Sequence, residues 1–585
     1  PSGLPAISHS GILAETRNCG GTGYEKGELV TTRWWKWPAL AGMVLALTVL
    51  TAGCGGGGDG DTLTFGAAAD PVVLDGALVS DGESLRVIDQ IFETLVGLEP
   101  GTTRIVPELA TSWEASDDGL EWTFELREDV TFHDGEPFNA EAVCFNFNRW
   151  YNFSGPLQSS SVSYYWQTVF RGYANNEDES LDPSLYESCE VQNELTAVIR
   201  ITEPSSAFLG ALALKNFAIA SPKALTDYEA DAGTVDEEAG VFQPGGTYGT
   251  EHATGTGPFK FDSWEIGDKL TLVRNDDYWG EPAKLGTLIF RPIPDNAARL
   301  QALQTGEIQG YDLVEPQDIA TIEADENLQV LDRPAFNVGY VTINQAKPPM
   351  DNPLVRQAVA HGLDRRSVVD NFYAGRGDVA HQFMPPLVEG YADSVTQYDY
   401  DPERAKALLQ EAGLSLPVPI EFWYPTDVSR PYMPDPKRNF EAFAASLNQS
   451  GFRVTARSAV WNPTYLGRQQ SGNAGHLNLI GWTGDYGDPD NFVGTFFQSR
   501  QPAWGTDRFP NEEVMDLLNR AERETDIAER TALYKEANRM IAEWIPGVPY
   551  VHTSPALAFQ ANVTGYAPSP VSLESFALVE FTEES

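Results

Sequence analysis

Charged side chains framed by aromatics and glycines are the first groups in this chain that could do chemistry. Gly481-Trp482-Thr483-Gly484-Asp485-Tyr486 sets one aspartate beside glycine and between two aromatic rings. Asp485 either contacts a ligand or caps a turn within residues 485–491, and Asp488 and Asp490 are expected to serve that turn. Their spacing is not that of an EF-hand calcium loop. A second segment, YPTDVSRPYMPDP (Tyr424 to Pro436), carries Arg430 and Tyr432 in a proline-rich stretch. An arginine fork matches a carboxylate through two parallel hydrogen bonds, which lysine cannot reproduce. A surface arginine in a loop is the plainer reading of the same residue.

Catalytic patterns are missing. There is no GxSxG elbow, no phosphate-cradling P-loop, no HExxH and no CxxC. A carboxylate pair suited to a glycosidase carries no weight here, because 84 acidic residues make a chance pair near certain. Seven histidines lie far apart, and His252, His361, His381 and His552 are metal candidates by residue type alone. His361 falls inside a helical pattern and reads as structural. A hydrolase is therefore the weakest of the functional classes.

The formal net charge of -45 argues against nucleic acid and against tight docking on anionic lipid. The acidic residues are scattered, so they read as a solvated face, with adaptation to salty surroundings as one expectation. Cys144 and Cys189 are the two cysteines of the body of the chain, and an oxidising compartment would make them one bridge. Two free buried thiols are the alternative.

Residues 37 to 58, WPALAGMVLALTVLTAGCGGGG, suggest that compartment. Arg33 and Lys36 precede an apolar run from Pro38 to Leu50, shorter than the roughly 20 residues that span a bilayer. Leu50-Thr51-Ala52-Gly53-Cys54 resembles the lipobox of bacterial lipoproteins, with Thr51 where leucine is commoner. The resemblance implies cleavage before Cys54 and a diacylglycerol on its thiol, at the extracytoplasmic face of the cell membrane. A buried helix ending at glycine is the alternative, but no amphipathic pattern continues it. Residues 1–29 begin with Pro1 and lack periodicity; translation is expected to start at Val30, so that Cys19 is never made. The expected order is a signal peptide over 30–53, then a Gly/Asp tether over 54–61.

Elements that could position these side chains follow from pattern and caps. Roughly 530 residues after Cys54 are too many for one core and suggest two or three lobes. A first strand is expected from Thr62. Leu120, Trp122, Phe124 and Leu126 alternate, with turns at Asp118-Gly119 and Asp134-Gly135, so antiparallel strands are expected there, followed by a helix over Asn139 to Trp150. Asn352 with Pro353 opens a helix that turns Val355, Val359 and Leu363 to one side. Asp401-Pro402 opens another, with Ala405, Leu408, Leu409 and Ala412 inward and Gly413 as its stop. Asp526 with Glu529 reads as a capping box for a helix that reaches Trp544 and ends at Pro546. Asn337 to Ile343 and Ile420 to Tyr424 read as strands. Mixed α/β lobes with one β-rich insertion result.

Seven ordered blocks over nearly the whole body then resemble the solute-binding proteins of family 5, which feed peptide, dipeptide and nickel ABC importers. They include VPELATSWEASDDGLEWTFELREDVTFHDGEPFNAEAV (Val106 to Val143), GTGPFKF (Gly255 to Phe261), RNDDYWG (Arg274 to Gly280) and LQALQTGEI (Leu300 to Ile308). NQAKPPMDNPLVRQAVAHGLDR (Asn344 to Arg365), YDPERAKALLQEAG (Tyr400 to Gly413) and GWTGDYGDPDNF (Gly481 to Phe492) follow in order. The resemblance implies a type II periplasmic-binding-protein-like α/β fold of two hinged lobes with an extra β-rich subdomain. The expected division is lobe I over 62–97, 215–335 and 553–585, the inserted subdomain over 98–214, and lobe II over 336–552. It implies that Asp485 holds a peptide's α-ammonium, with Trp482 and Tyr486 excluding solvent, and that Arg430, followed by Tyr432, takes the ligand's carboxylate. A nickel chelate, a sugar, an opine or haem are the alternatives within the family, and a lipid-anchored sensory or adhesion receptor is the alternative outside transport. Two permeases with paired ATPases are the implied partners of a monomeric protein that needs no cofactor.

Overall fold

Strands buried on both faces are mostly apolar, and three segments of this chain fit that demand: Asn337–Ile343, Leu477–Thr483 and Gly547–Thr553 are covered almost end to end, with few polar residues among them. The computed structural model describes residues 61–236, 241–470, 475–498 and 511–582. Cys19, Val30, Cys54, the expected signal over 30–53 and the tether up to residue 60 lie outside the described residues.

Two large mixed sheets organise the described chain. The first runs in the order Phe259–Glu265, Lys269–Arg274, Thr287–Pro292, Thr62–Ala67, Gly310–Tyr311, Ala556–Gln560 and Leu328–Asp332. Thr62–Ala67 pairs parallel with both neighbours, and the remaining pairings are antiparallel. The second runs Gly377–Asp378, Gly547–Thr553, Asn337–Ile343, Leu477–Thr483, Val418–Pro425 and Phe452–Ala459. Its outermost strand, Phe452–Ala459, is largely exposed and polar, as an edge in water requires. A four-stranded antiparallel sheet, Ala110–Ala115, Glu121–Leu126, Thr196–Ile201 and Tyr186–Asn193, completes the framework.

The helices start where the caps predict. Asn139 accepts from the Ala142 amide at the head of Ala140–Tyr151, Asn352 from Leu354 at Pro353–Gly362, and Asp401 from Arg404 at Pro402–Glu411. Val355, Val359, Leu363, Ala405, Leu408 and Leu409 are all buried, while Ala412 is only partly so. Gly413 follows with φ +78°, a left-handed stop that glycine takes without a Cβ penalty. The expected capping box at Asp526 forms only by half. Its carboxylate accepts from the Glu529 amide, but the Asp526 amide donates to Glu524 Oε1 at 2.9 Å rather than to Glu529. Glu524 is nearer in the chain and reaches that amide first.

Apolar side chains fill four clusters. One is shared by the seven- and four-stranded sheets and contains Phe65, Phe124, Trp150 and Phe559; a small satellite packs around Leu303 and Ile322. The six-stranded sheet carries a cluster on each face, one around Val355, Leu408 and Phe443, the other around Phe336, Phe496 and Leu518. The chain passes between the two large sheets at residues 333–336 and 554–555. There the Asn337 side chain accepts from the Thr553 amide at 3.1 Å and hydroxyl at 3.0 Å, and donates to the Thr553 carbonyl at 2.9 Å. The Arg333 amide donates to the Pro555 carbonyl at 2.9 Å. The two passages are thus tied side by side.

Beside them lies a buried ion lattice. Arg333 binds Glu574 through two hydrogen bonds of 2.6 and 2.9 Å and Asp312 through one of 2.6 Å, while Arg86 binds the other Asp312 oxygen at 2.7 Å. Burial alone would raise the Asp312 carboxyl, but Arg333 and Arg86 beside it hold it well below the ordinary carboxylate range. A carboxyl with a depressed pKa contributes stability that is present above its unfolded value and lost as pH falls through the folded one. Truncation of Arg333 to methionine leaves Glu574 and Asp312 with Arg86 as their one remaining shared cation, 3.6 Å from Glu574. That costs about 3–5 kcal/mol in a urea titration at pH 7, and less in acid.

Cys144, on Ala140–Tyr151, and Cys189, on Tyr186–Asn193, are joined with Cα atoms 5.2 Å apart and a sequence separation of 45. In the chain-entropy description a loop of that length is worth up to about 4 kcal/mol. The Cys144→Ser/Cys189→Ser double variant should therefore melt at lower temperature in calorimetry. An unchanged melting temperature contradicts a stabilising bridge.

Candidate functional site

Asp485 follows directly on the buried strand Leu477–Thr483, and the side chain of Asn491 fixes its position. Asn491 Oδ1 accepts from the Asp485 amide at 2.7 Å and from the Trp482 indole at 3.3 Å, and its Nδ2 donates to Asp485 Oδ2 at 3.1 Å. The other carboxylate oxygen accepts from Tyr165 Oη at 2.9 Å, across 320 residues of sequence. Among the described residues no cation pairs with Asp485. Burial pushes its carboxyl up to about 6, against the hydrogen bonds of Asn491 and Tyr165, which pull it down. The turn that follows uses its own acids. Asp488 caps Pro489–Asn491 and takes Arg530 on both oxygens at 2.7 Å. Burial, with Glu522 and Asp488 nearby, lifts Asp490 to about 7.

Asp485 lines a cavity of about 190 Å³ whose other walls come from residues 89–108, 213–215 and 565–578. The cavity thus lies between the six-stranded sheet's loop and the region of the other two sheets. Further contacts close the same boundary. Gly487 sits so near Thr103 that a Cβ there would be 2.6 Å from the threonine side chain, and only glycine fits. The Ser206 amide donates to the Glu522 carbonyl at 3.0 Å, and Arg171 and Arg523 reach Glu522 and Glu203 at 3.4 and 3.2 Å.

The three aromatics predicted near Asp485 and Arg430 belong to three different cores. Trp482 packs with Phe496 on one face of the six-stranded sheet, at 5.8 Å between ring centroids. Tyr432 is buried on the opposite face, and its carbonyl accepts from Tyr373 and Tyr550 hydroxyls at 2.9 and 3.0 Å. Tyr486 crosses the boundary into the large core shared by the seven- and four-stranded sheets. All three rings are at most 8% exposed, so each excludes water chiefly by packing.

Arg430 is half-buried in the loop after Val418–Pro425, with its guanidinium 5.0 Å from the Trp461 ring centroid. Among the described residues no carboxylate pairs with it. It lines a second, smaller cavity of about 40 Å³, shared with Arg376, Thr553 and Pro555 beside the two chain passages. Arg376, in contrast, is matched across the boundary by Asp332 at 2.7 Å and Glu323 at 2.9 Å. The structure therefore places Asp485 and Arg430 on the same boundary but in separate cavities.

The histidines are held by separate local partners. His252 stacks on Tyr228 at 3.6 Å, His361 Nδ1 bonds the Asp399 carbonyl at 2.8 Å, and His552 Nδ1 bonds the Asn337 carbonyl at 2.7 Å. Burial lowers His552 to about 4 and also lowers His381. Among the described residues no three His, Cys, Asp or Glu side chains come together as metal ligands would. No helix of the described residues is long and apolar enough to cross a membrane.

Sequence reasoning missed Tyr165 and the acidic and basic side chains that share the large cavity. Tyr165 carries no local signal, because what makes it matter is a partner in another sheet's loop. Asn491 was within reach: an asparagine six residues after a turn aspartate is a natural partner for it.

Residues 104–504 match the family described as bacterial extracellular solute-binding proteins, family 5. The dipeptide-binding protein of Escherichia coli is 31% identical over 524 residues, covering 88% of this chain and 94% of that protein. The heme-binding protein A of Haemophilus influenzae is also 31% identical, covering 88% of this chain and 91% of that protein. Among solved structures, the ABC transporter-associated periplasmic binding protein DppA of Helicobacter pylori, in complex with peptide STSA, superposes with a TM-score of 0.74. It is 29% identical and covers 89% of this chain and 98% of that chain.

Removal of the Tyr165 hydroxyl should move the Asp485 midpoint upward from about 6, since one bond donated to the ionised form is lost. A carboxyl-carbon NMR titration of Tyr165→Phe reads this directly. A downward or absent shift contradicts the hydrogen bond.

Proposed function

We propose that this chain, which belongs to the bacterial extracellular solute-binding proteins of family 5, captures dipeptides or short oligopeptides and delivers them to an ABC importer. Members of that family are non-enzymatic components of transport, with a mixed α/β periplasmic-binding-protein fold. In this reading Cys54 carries the lipid that keeps the protein at the extracytoplasmic face, and permeases with paired ATPases receive the ligand. The seven-stranded sheet belongs to one lobe (62–97, 215–335 and 553–585), the six-stranded sheet to the other (336–552), and the four-stranded sheet to the insertion (98–214). Residues 333–336 and 554–555 form the hinge.

One observation carries the zwitterion reading. Two opposite charges, Asp485 and Arg430, have no ionic partner among the described residues, and each lines a cavity on the boundary between the large sheets. Most other charges at that boundary are matched. Burying an unmatched charge costs free energy unless something else supplies its partner, and a peptide supplies both, its ammonium to Asp485 and its carboxylate to Arg430. Ligand that touches both lobes only when they are closed shifts the open–closed balance. Reversal of a 1:99 balance takes about 5.5 kcal/mol of preference for the closed form. A dipeptide-binding relative at 31% identity supports the same ligand class. A haem-binding relative at equal identity makes haem the second ligand to try.

Native mass spectrometry of the purified protein should show a carried-over peptide, and calorimetry should show saturable dipeptide binding that is weakened at least about thirtyfold by Arg430→Ala. Unchanged dipeptide affinity in that variant overturns the role given to Arg430. A Soret shift on haem titration, with no peptide bound, overturns the ligand class.

The pH dependence has a fixed sign. A bound ammonium selects the ionised Asp485, so affinity is full above pH 6 or so and falls as pH drops through the free carboxyl's midpoint near about 6. Between pH 7.5 and 5 the loss is about tenfold. Asp485→Asn should bind weakly with a flat profile; a wild-type profile that is flat from pH 7.5 to 5 contradicts the assignment.

A further inference from the structure

Asp485 shares its cavity with five other charged side chains, and two of these are matched by partners outside it. Glu99 takes the Arg104 guanidinium, with Nε at 2.8 Å. Glu574 takes Arg333 on both oxygens. What remains is Asp89, Glu108 and Lys215. Lys215 is 9% exposed, and its ammonium stands 3.2 Å from an Asp89 oxygen and 3.2 Å from a Glu108 oxygen. Glu108 is held in place from behind, its other oxygen accepting from the Thr94 amide at 2.6 Å and hydroxyl at 2.7 Å.

With both acids ionised, two carboxylates against one ammonium leave this triad with one negative charge; burial raises the Asp89 carboxyl, and Glu93 adds a further acid within electrostatic reach of Lys215 and Glu108. Lys215 cannot offer itself to an anionic ligand, because both of its neighbours already claim it. A ligand's α-ammonium satisfies Asp485 and leaves the triad's charge uncompensated in the same enclosed space. A neutral side chain placed there desolvates that charge for no return, a carboxylate repels it, and a second cation completes it.

We propose that the Asp89–Lys215–Glu108 triad makes this cavity selective for short peptides that carry a basic side chain. The inference rests on the peptide reading above and narrows it to a substrate class. Selection works both ways: attraction of lysine or arginine side chains and rejection of acidic ones.

Calorimetric titration of the purified protein with Ala-Ala, Ala-Lys, Lys-Ala and Ala-Glu, at one ionic strength, tests it. The better lysine peptide should bind about tenfold or more tighter than Ala-Ala, and Ala-Glu more weakly than either. Glu108→Gln and Asp89→Asn each leave Lys215 with a single carboxylate, and should shrink the lysine-over-alanine ratio to less than about threefold. Thermal melts establish that each variant is folded, and the wild-type series decides the matter even if neither is. Wild-type affinities for Ala-Lys, Lys-Ala and Ala-Ala within twofold of each other overturn the selectivity and leave the peptide reading standing. So does a ratio that survives in both folded variants. If none of the four peptides binds, both fall together.

Discussion

A carboxylate withdrawn from water and given only neutral donors is the constraint around which this structure is arranged. Asp485 has an asparagine amide and a tyrosine hydroxyl for company, and their hydrogen bonds offset only part of the upward push of burial on its carboxyl. Such an arrangement costs stability, and perturbed carboxyls of this kind cluster at functional sites. Everything that holds Asp485 is rigid: a strand covered on both faces, a turn whose own acids are capped or matched by Arg530, and Asn491 gripping backbone and side chain together. The charge is therefore fixed in place before any ligand comes.

The contrast with the ion lattice beside the chain passages is instructive. Arg333, Glu574, Asp312 and Arg86 alternate in sign, and the ion pairs of 2.6–2.7 Å among them offset much of the burial, although Arg86 Nε and Nη1 lack hydrogen-bond partners among the described residues. That lattice joins the C-terminal segment, the helix Gly82–Ile91 and the residue that begins one passage between the sheets. It shares Glu574 with the wall of the large cavity. Matched charges thus build the floor on which unmatched ones are displayed. The same division runs along the boundary, where Arg376 is paired with two carboxylates from the opposite side while Arg430, in the same small cavity, is not.

The aromatic residues redistribute the roles that their types suggest. Trp482, Tyr432 and Tyr486 lie close to the charged pair in sequence, yet each ring anchors a different apolar core. Their contribution to the site is to hold the loops bearing Asp485 and Arg430 against three packed bodies. Tyr486 alone crosses from one side of the boundary to the other.

Caps, alternation and burial periodicity are local, so the helices opened by Asn139, Asn352, Asp401 and Asp526 and the strands at residues 62, 337 and 420 were legible in the sequence, and ordered motifs carried the family with its α/β fold. The Asp526 box was read wrongly because two glutamates compete for one amide, and only backbone geometry chooses between them. Asp485 and Arg430 could be singled out by residue type and neighbours. Their separation into two cavities could not, nor could the Tyr165 bond or the Lys215 triad. Those depend on side chains brought together from residues 89, 108, 165, 215 and 485, and no local preference encodes a contact across hundreds of residues. Sequence determined which elements form and which charges are available; the packing of three sheets decided which of those charges are matched and which are left facing a cavity.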